Sequence, residues 1–132
     1  GTLSGNPIAV AAGIATLQKL VPSAYQKLEE LGTYFEEQMK PILSHFKNKV
    51  LFMRFASIFA LYFTNEDIIT SVDQVKECNM QQFARFHRLM LERGIYLSPS
   101  GYEVGFLSLS HSKDDIDKTV KAIGESLEIV LR

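Results

Sequence analysis

Residues 50–64 read VLFMRFASIFALYFT. The stretch divides into VLFMRF (50–55) and IFALYFT (58–64), parted by Ala56 and Ser57. Both runs are short and rich in aromatic and aliphatic side chains, and a two-residue break separates them. That texture belongs to two adjacent strands and not to a helix. The flanking sequence must then supply the layer that covers a small sheet.

Toward the N-terminus, Leu28, Leu31, Phe35, Met39, Ile42 and Phe46 recur every three to four residues, the stripe of a long amphipathic helix. Ser23 and Gln26 have capping-box spacing at its start, and Pro41 is expected to kink it or end it early. Before it, Asn6 and Pro7 read as N-cap and first helical residue of an alanine-rich helix running to about Leu20, which Val21 and Pro22 end.

Beyond the strands, residues 65–76 are polar and read as a loop with at most one helical turn. Asn79 and Gln82 resemble a cap, and Met80, Phe83, Phe86 and Met90 form the buried stripe of a helix closed by Gly94. GIYLS (94–98) and GFLSLSH (105–111) read as two more strands joined by the loop PSGYEV. Ser112 with Asp115 caps a last helix whose Ile116, Val120, Ile123, Leu127 and Val130 face inward. The expected fold is α+β, a small, mainly antiparallel sheet with helices packed on one face.

Composition excludes several functions. The 132 residues suit one domain, and 14 basic against 15 acidic residues give a formal charge of −1 without any basic block to track phosphates, which argues against nucleic acid. No apolar run reaches membrane-spanning length and no charged leader with a cleavage site is present, so a cytosolic setting is the default and no membrane partner is expected. Cys78 is the single cysteine, which rules out a disulfide framework and reads as inert. His45, His87 and His111 are far apart and lack carboxylate or cysteine companions at ligand spacing, so no metal site is expected. There is no serine-nucleophile elbow. Asp114 and Asp115 fall in the first turn of the last helix, where the helix dipole accounts for them.

Two features rise above this background. The first is GTLSGNP (1–7): Gly1 and Gly5 allow close backbone approach, Thr2 and Ser4 bring hydroxyls, and the helix that follows brings unpaired N–H groups, the components of an anion site. Helix capping alone is the commoner explanation of such a stretch. The second is Glu103, in a loop and flanked by Tyr102 and Val104; a carboxylate in apolar company suits an active-site acid or base, although a solvated loop glutamate is commoner.

A resemblance adds what spacing leaves open. GTLSGNP leading into an alanine-rich helix, RFASIFALYFT (54–64) and FARFHRLMLERGIYLSPSGYEVGFLSLSHSKDDID (83–117) resemble the C-terminal part of the glutamate-1-semialdehyde 2,1-aminomutases, within the class III pyridoxal-phosphate aminotransferases. The last run is the most specific, because it sets the aminomutases apart from ordinary members of the class. At Ala56 the sequence departs from a usual glycine. The resemblance covers essentially the whole chain.

It implies conversion of glutamate 1-semialdehyde to 5-aminolevulinate for tetrapyrrole synthesis, with pyridoxal 5'-phosphate or pyridoxamine 5'-phosphate as electron sink. It implies that Thr2, with Gly1 beside it, binds the cofactor phosphate for the neighbouring subunit of a homodimer, and that Ser4, Gly5 and Asn6 shape the loop. It implies that Glu103 lies on the substrate side of the site, as a catalytic residue that positions substrate or tunes the cofactor. On this reading residues 1–21 are a cofactor-phosphate loop and connecting helix, and residues 22–132 are the small domain. The remaining partner is the enzyme's own N-terminal large domain. No lysine falls in a segment like the family's cofactor-holding one, so the chain alone is expected to be inactive. Ile8, Val10, Ile14 and Leu17 are expected to be left uncovered and to drive self-association. Two alternatives stand beside this reading: another class III aminotransferase, or a noncatalytic α+β interaction domain.

Overall fold

The computed structural model describes residues 1–132. The elements run α1 (Pro7–Leu17), α2 (Pro22–His45), β1 (Leu51–Phe55), β2 (Ile58–Tyr62), α3 (Val72–Glu77), α4 (Met80–Glu92), β3 (Gly105–Phe106) and α5 (Lys113–Val130). The sheet has the order β1-β2-β3 and is antiparallel throughout.

The two runs around Ala56 and Ser57 form a hairpin in the register Phe52↔Leu61, Arg54↔Phe59 and Phe55↔Ile58. Alternation puts Phe52, Arg54, Phe59 and Leu61 on one face. α2 lies on that face. Its Phe35 is fully buried and meets both Phe52 and Phe59 edge-on, with ring centroids 5.1 Å away in each case. α4 and α5 complete the layer: Met39, Phe86, Met90, Ile123 and Leu127 are all buried in one cluster with Phe35. The opposite face carries the cross-strand row Phe55, Ile58 and Phe106, in which Phe55 is 82% and Phe106 64% exposed. Helices on one face of a small antiparallel sheet is the expected architecture.

One corner locks α2 to the hairpin. A Cβ on Gly32 would come within 2.5 Å of the Ala56 carbonyl oxygen, so only glycine lets helix and turn approach this closely. Arg54, with 11% of its side chain exposed, donates to that same oxygen (2.8 Å), to Glu29 (3.0 Å) and to Glu36 (3.1 Å). The hydrogen bonds from Arg54 hold the Glu29 carboxyl below its ordinary value. Ala56 itself has φ 52°. A hairpin loop with positive φ at its first position favours glycine there, which explains why the resemblance leads one to expect glycine.

Several expectations need correction. α1 stops at Leu17, and tighter bonds from Lys19 N–H to Thr16 O and from Leu20 N–H to Leu17 O carry the chain out of it. Ser23 does not cap α2, because Pro22 already occupies the first helical position and Val21 precedes it without any side-chain cap. Pro41 does not end α2: it is exposed and forgoes the bond to the Glu37 carbonyl, while buried Met39 and Phe46 hold the helix on either side. Residues 72–77 form a six-residue helix under a full Ser71/Gln74 capping box, more than the single turn expected.

GIYLS is not a strand. Ile95 and Leu97 point inward and Tyr96 outward as in a strand, but the Ile95 N–H is taken by Met90 O and the Gly94 N–H by Leu91 O, a Schellman closure of α4. Of GFLSLSH only Gly105 and Phe106 pair, because the chain turns at Ser108, whose N–H donates to His111 Nδ1 (2.9 Å).

α1 has no buried residue, and the chain bends by 72° between α1 and α2. No single helix is long and apolar enough to cross a membrane.

Two exchanges of glycine and alanine in the Gly32–Ala56 corner are expected to act in opposite senses. Ala56→Gly relieves the positive φ and raises stability by about 0.5–1 kcal/mol, whereas Gly32→Ala forces a clash with backbone and lowers it by about 1–3 kcal/mol. Urea unfolding midpoints of the two variants check both signs.

Candidate functional site

The Gly1–Asn6 loop is built from two turns, Ser4 N–H to Gly1 O (3.0 Å) and Asn6 N–H to Leu3 O (3.1 Å), with Gly5 at φ 76°. Asn6 Oδ1 accepts from Ile8 N–H (3.0 Å) and Ala9 N–H (3.2 Å). The capping reading is therefore realised, and the first-turn donors of α1 expected to meet an anion are already occupied. What stays free is the loop itself: the N–H groups of Thr2, Leu3 and Gly5 and the hydroxyls of Thr2 and Ser4 donate to nothing within the chain. Free backbone N–H groups and hydroxyls are the donor types that a phosphate group takes.

Glu103 sits on a loop held at several points. Upstream, His87 Nε2 lies 3.1 Å from the Leu97 carbonyl. Within the loop, Glu103 N–H donates to Ser100 O (3.1 Å), Tyr102 N–H to Ser100 Oγ (3.3 Å), and Ser100 N–H to Ser98 Oγ (3.3 Å). Gly101 is buried against α4, where a Cβ would lie 2.7 Å from Met80 Sδ and 3.1 Å from the Phe83 ring. Gly105 lies against β2, where a Cβ would be 2.3 Å from Phe59 Cζ. The carboxylate thus projects from a short arch pinned by two glycines. Ser98 donates its hydroxyl to Glu103 Oε2.

No hydrogen bond or cavity joins Gly1 and Thr2 to Glu103. The largest groove, about 610 Å³, runs beside Arg93, Tyr96, Lys118 and Glu125 and contains none of the three. The histidines have separate duties: His45 faces Glu128 (3.1 Å), His87 the Leu97 carbonyl and His111 the Ser108 turn. Burial pushes the Cys78 thiol up, away from the thiolate form. All nine lysines are exposed in this chain. Ser98, His87, Gly101 and Gly105 shape the Glu103 loop and were not marked by the sequence reading; the one signal available was the pair of glycines bracketing Glu103.

Over 128 residues, 96% of its length, the chain is 42% identical to a glutamate-1-semialdehyde 2,1-aminomutase from Akkermansia muciniphila. The one from Sorangium cellulosum is 42% identical over 96% of the chain, and glutamate-1-semialdehyde 2,1-aminomutase 2 from Staphylococcus haemolyticus 37% over 99%. The chain is a homologue of the glutamate-1-semialdehyde 2,1-aminomutases. It spans 30%, 29% and 30% of the lengths of these three aminomutases. No family model matches the chain. Among solved structures, an omega-transaminase from Sphaerobacter thermophilus superposes with a TM-score of 0.77 at 18% identity, covering 97% of this chain and 29% of that one. A transaminase with PLP bound gives 0.75 at 24% identity, covering 96% and 28%. A beta-phenylalanine aminotransferase from Variovorax paradoxus gives 0.72 at 26%, covering 97% and 29%. The fold is that of the matching part of these transaminases.

Gly105→Ala is expected to drive a methyl group into the Phe59 ring and cost about 1–3 kcal/mol, with limited proteolysis cutting the 98–105 arch sooner than in the parent chain.

Proposed function

We propose that the chain is the C-terminal part of a glutamate-1-semialdehyde 2,1-aminomutase, residues 1–21 its cofactor-phosphate loop and connecting helix and residues 22–132 its small domain, and that the complete enzyme moves an amino group within glutamate 1-semialdehyde to give 5-aminolevulinate for tetrapyrrole synthesis. The observation that carries this is 42% identity over 96% of the chain to aminomutases. The run SPSGYEVGF (98–106), which resembles the aminomutases and not the two-substrate aminotransferases, supports the narrower activity. When bound, pyridoxal 5'-phosphate would supply the electron sink, and its pyridoxamine 5'-phosphate form the exchangeable amine.

Each part of the chain has a role in this reading. Thr2, with the backbone beside it, holds the cofactor phosphate of the neighbouring subunit's site. Glu103 faces the substrate from its arch. The lysine that holds the cofactor belongs to the large domain, so the chain by itself neither retains cofactor nor catalyses. α1 packs against that large domain or the second subunit of a homodimer: it is apolar on every side, with Ile8 80% exposed, a composition proper to a buried helix. The setting is the cytosol.

In the complete enzyme, Thr2→Val is expected to weaken cofactor retention about tenfold, the loss of one hydrogen bond to a charged group, read by dialysis and cofactor absorbance. Unchanged retention would favour a loop that only caps α1. A complete enzyme that turns over glutamate 1-semialdehyde only when a 2-oxo acid is added would mark it as a two-substrate aminotransferase instead. The isolated chain, treated with pyridoxal phosphate and borohydride, is expected to give no stoichiometric adduct at any single lysine. In sedimentation it is expected to self-associate through α1, and Ile8→Asp with Leu17→Asp to return it to monomer.

A further inference from the structure

We infer that Ser98 is a positioning residue for Glu103, an inference that rests on the placement of Glu103 at the substrate side. The Ser98 hydroxyl donates to Glu103 Oε2 across five residues of chain. Its lone pair is already engaged, because Ser100 N–H donates to the same oxygen at 3.3 Å. A hydroxyl that accepts from backbone has its hydrogen free to give elsewhere, and the carboxylate is the acceptor it meets. No arginine, lysine or histidine pairs with Glu103, so this hydroxyl is the sole side-chain donor to it in the chain.

The surroundings make Ser98 a fixed point. Leu97, its neighbour, is half-buried and tied through its carbonyl to His87 Nε2. Pro99 follows and restricts the backbone on both sides of that bond. Gly101 and Gly105 seat the arch against Met80, Phe83 and Phe59, on both sides of Glu103 in sequence. The glutamate side chain is otherwise exposed and flexible. One hydroxyl thereby selects its rotamer and leaves Oε1, which accepts no bond from the chain, directed to what approaches the loop. Orientation of a reacting or binding carboxylate by a packed neighbour is worth a measurable share of rate, since small displacements cost heavily.

The test uses the complete aminomutase with Ser98→Ala, Ser98→Thr, Glu103→Ala and the double variant Ser98→Ala/Glu103→Ala. Ser98→Ala is expected to lower kcat/KM about tenfold, Ser98→Thr to recover most of it, and the double variant to be no worse than Glu103→Ala alone, because a residue acting through another has nothing left to hold. Thermal midpoints of the four proteins are expected to agree within about 2 °C, because the Ser98 hydroxyl is only half-buried and its partner carboxylate is exposed. Independent, multiplying losses in the double variant, or a fully active Ser98→Ala beside an impaired Glu103→Ala, would overturn the positioning role and leave Glu103 in place. A fully active Glu103→Ala would overturn the placement of Glu103 and this inference with it.

Discussion

The ring of Phe59 carries two contacts on which the rest of the structure depends. Phe35 of α2 meets it edge-on at 5.1 Å, and the backbone of Gly105 approaches so closely that no side chain fits between. The first contact seats the long helix on the sheet. The second seats β3 and, through it, the arch that carries Glu103. A carboxylate with little support of its own is thus referred, through the Gly105 backbone on Phe59 and Phe59 on Phe35, to the most deeply buried residues of the domain, Phe35, Met39 and Leu127. Aromatic edge-to-face packing is well suited to this role, because it fixes ring orientation as well as separation.

The Gly32–Ala56 corner does for the turn what Phe59 does for the strands. Helix α2 approaches the hairpin to backbone contact, and Arg54 donates to the Ala56 carbonyl at that contact while engaging Glu29 and Glu36 on the helix. An alanine held at positive φ in the same place is a small source of strain, tolerated because the helix, the guanidinium and the strand ladder together over-determine the turn. α1 stands in contrast. It is well formed, with a proline at its first position and an asparagine cap, but it buries nothing. Local chemistry suffices to make the helix, and its apolar residues stay exposed in this chain.

Much of this was legible residue by residue. The stripes of α2, α4 and α5 named the buried residues Phe35, Met39, Phe86, Met90, Ile123 and Leu127, because a helix that packs on one side must repeat near 3.6. Asn6, Asn79 and Ser112 cap the helices they precede, since capping is local. The strand readings divided. The hairpin around Ala56 was legible because both partners lie within fifteen residues, whereas GIYLS alternates like a strand yet has no partner, and GFLSLSH contributes two residues before the His111 ring turns the chain away. A strand exists only by pairing, and pairing is not a local property.

The same division holds for the site. The sequence by itself determined the candidate groups: a loop of small, hydrogen-bonding residues before α1, a loop glutamate flanked by Tyr102 and Val104, and the likeness to aminomutases that gives both a meaning. Only the tertiary structure decided how they are deployed. Asn6 consumes the donors of the helix start and leaves those of the loop; Ser98, five residues away, reaches the carboxylate; Met80, Phe83 and Phe59, from two other elements, hold the arch. Residue type and spacing specify which chemistry is available, because those are properties of neighbours along the chain. Which donor meets which acceptor depends on groups that folding brings together from distant positions, and that is settled by packing.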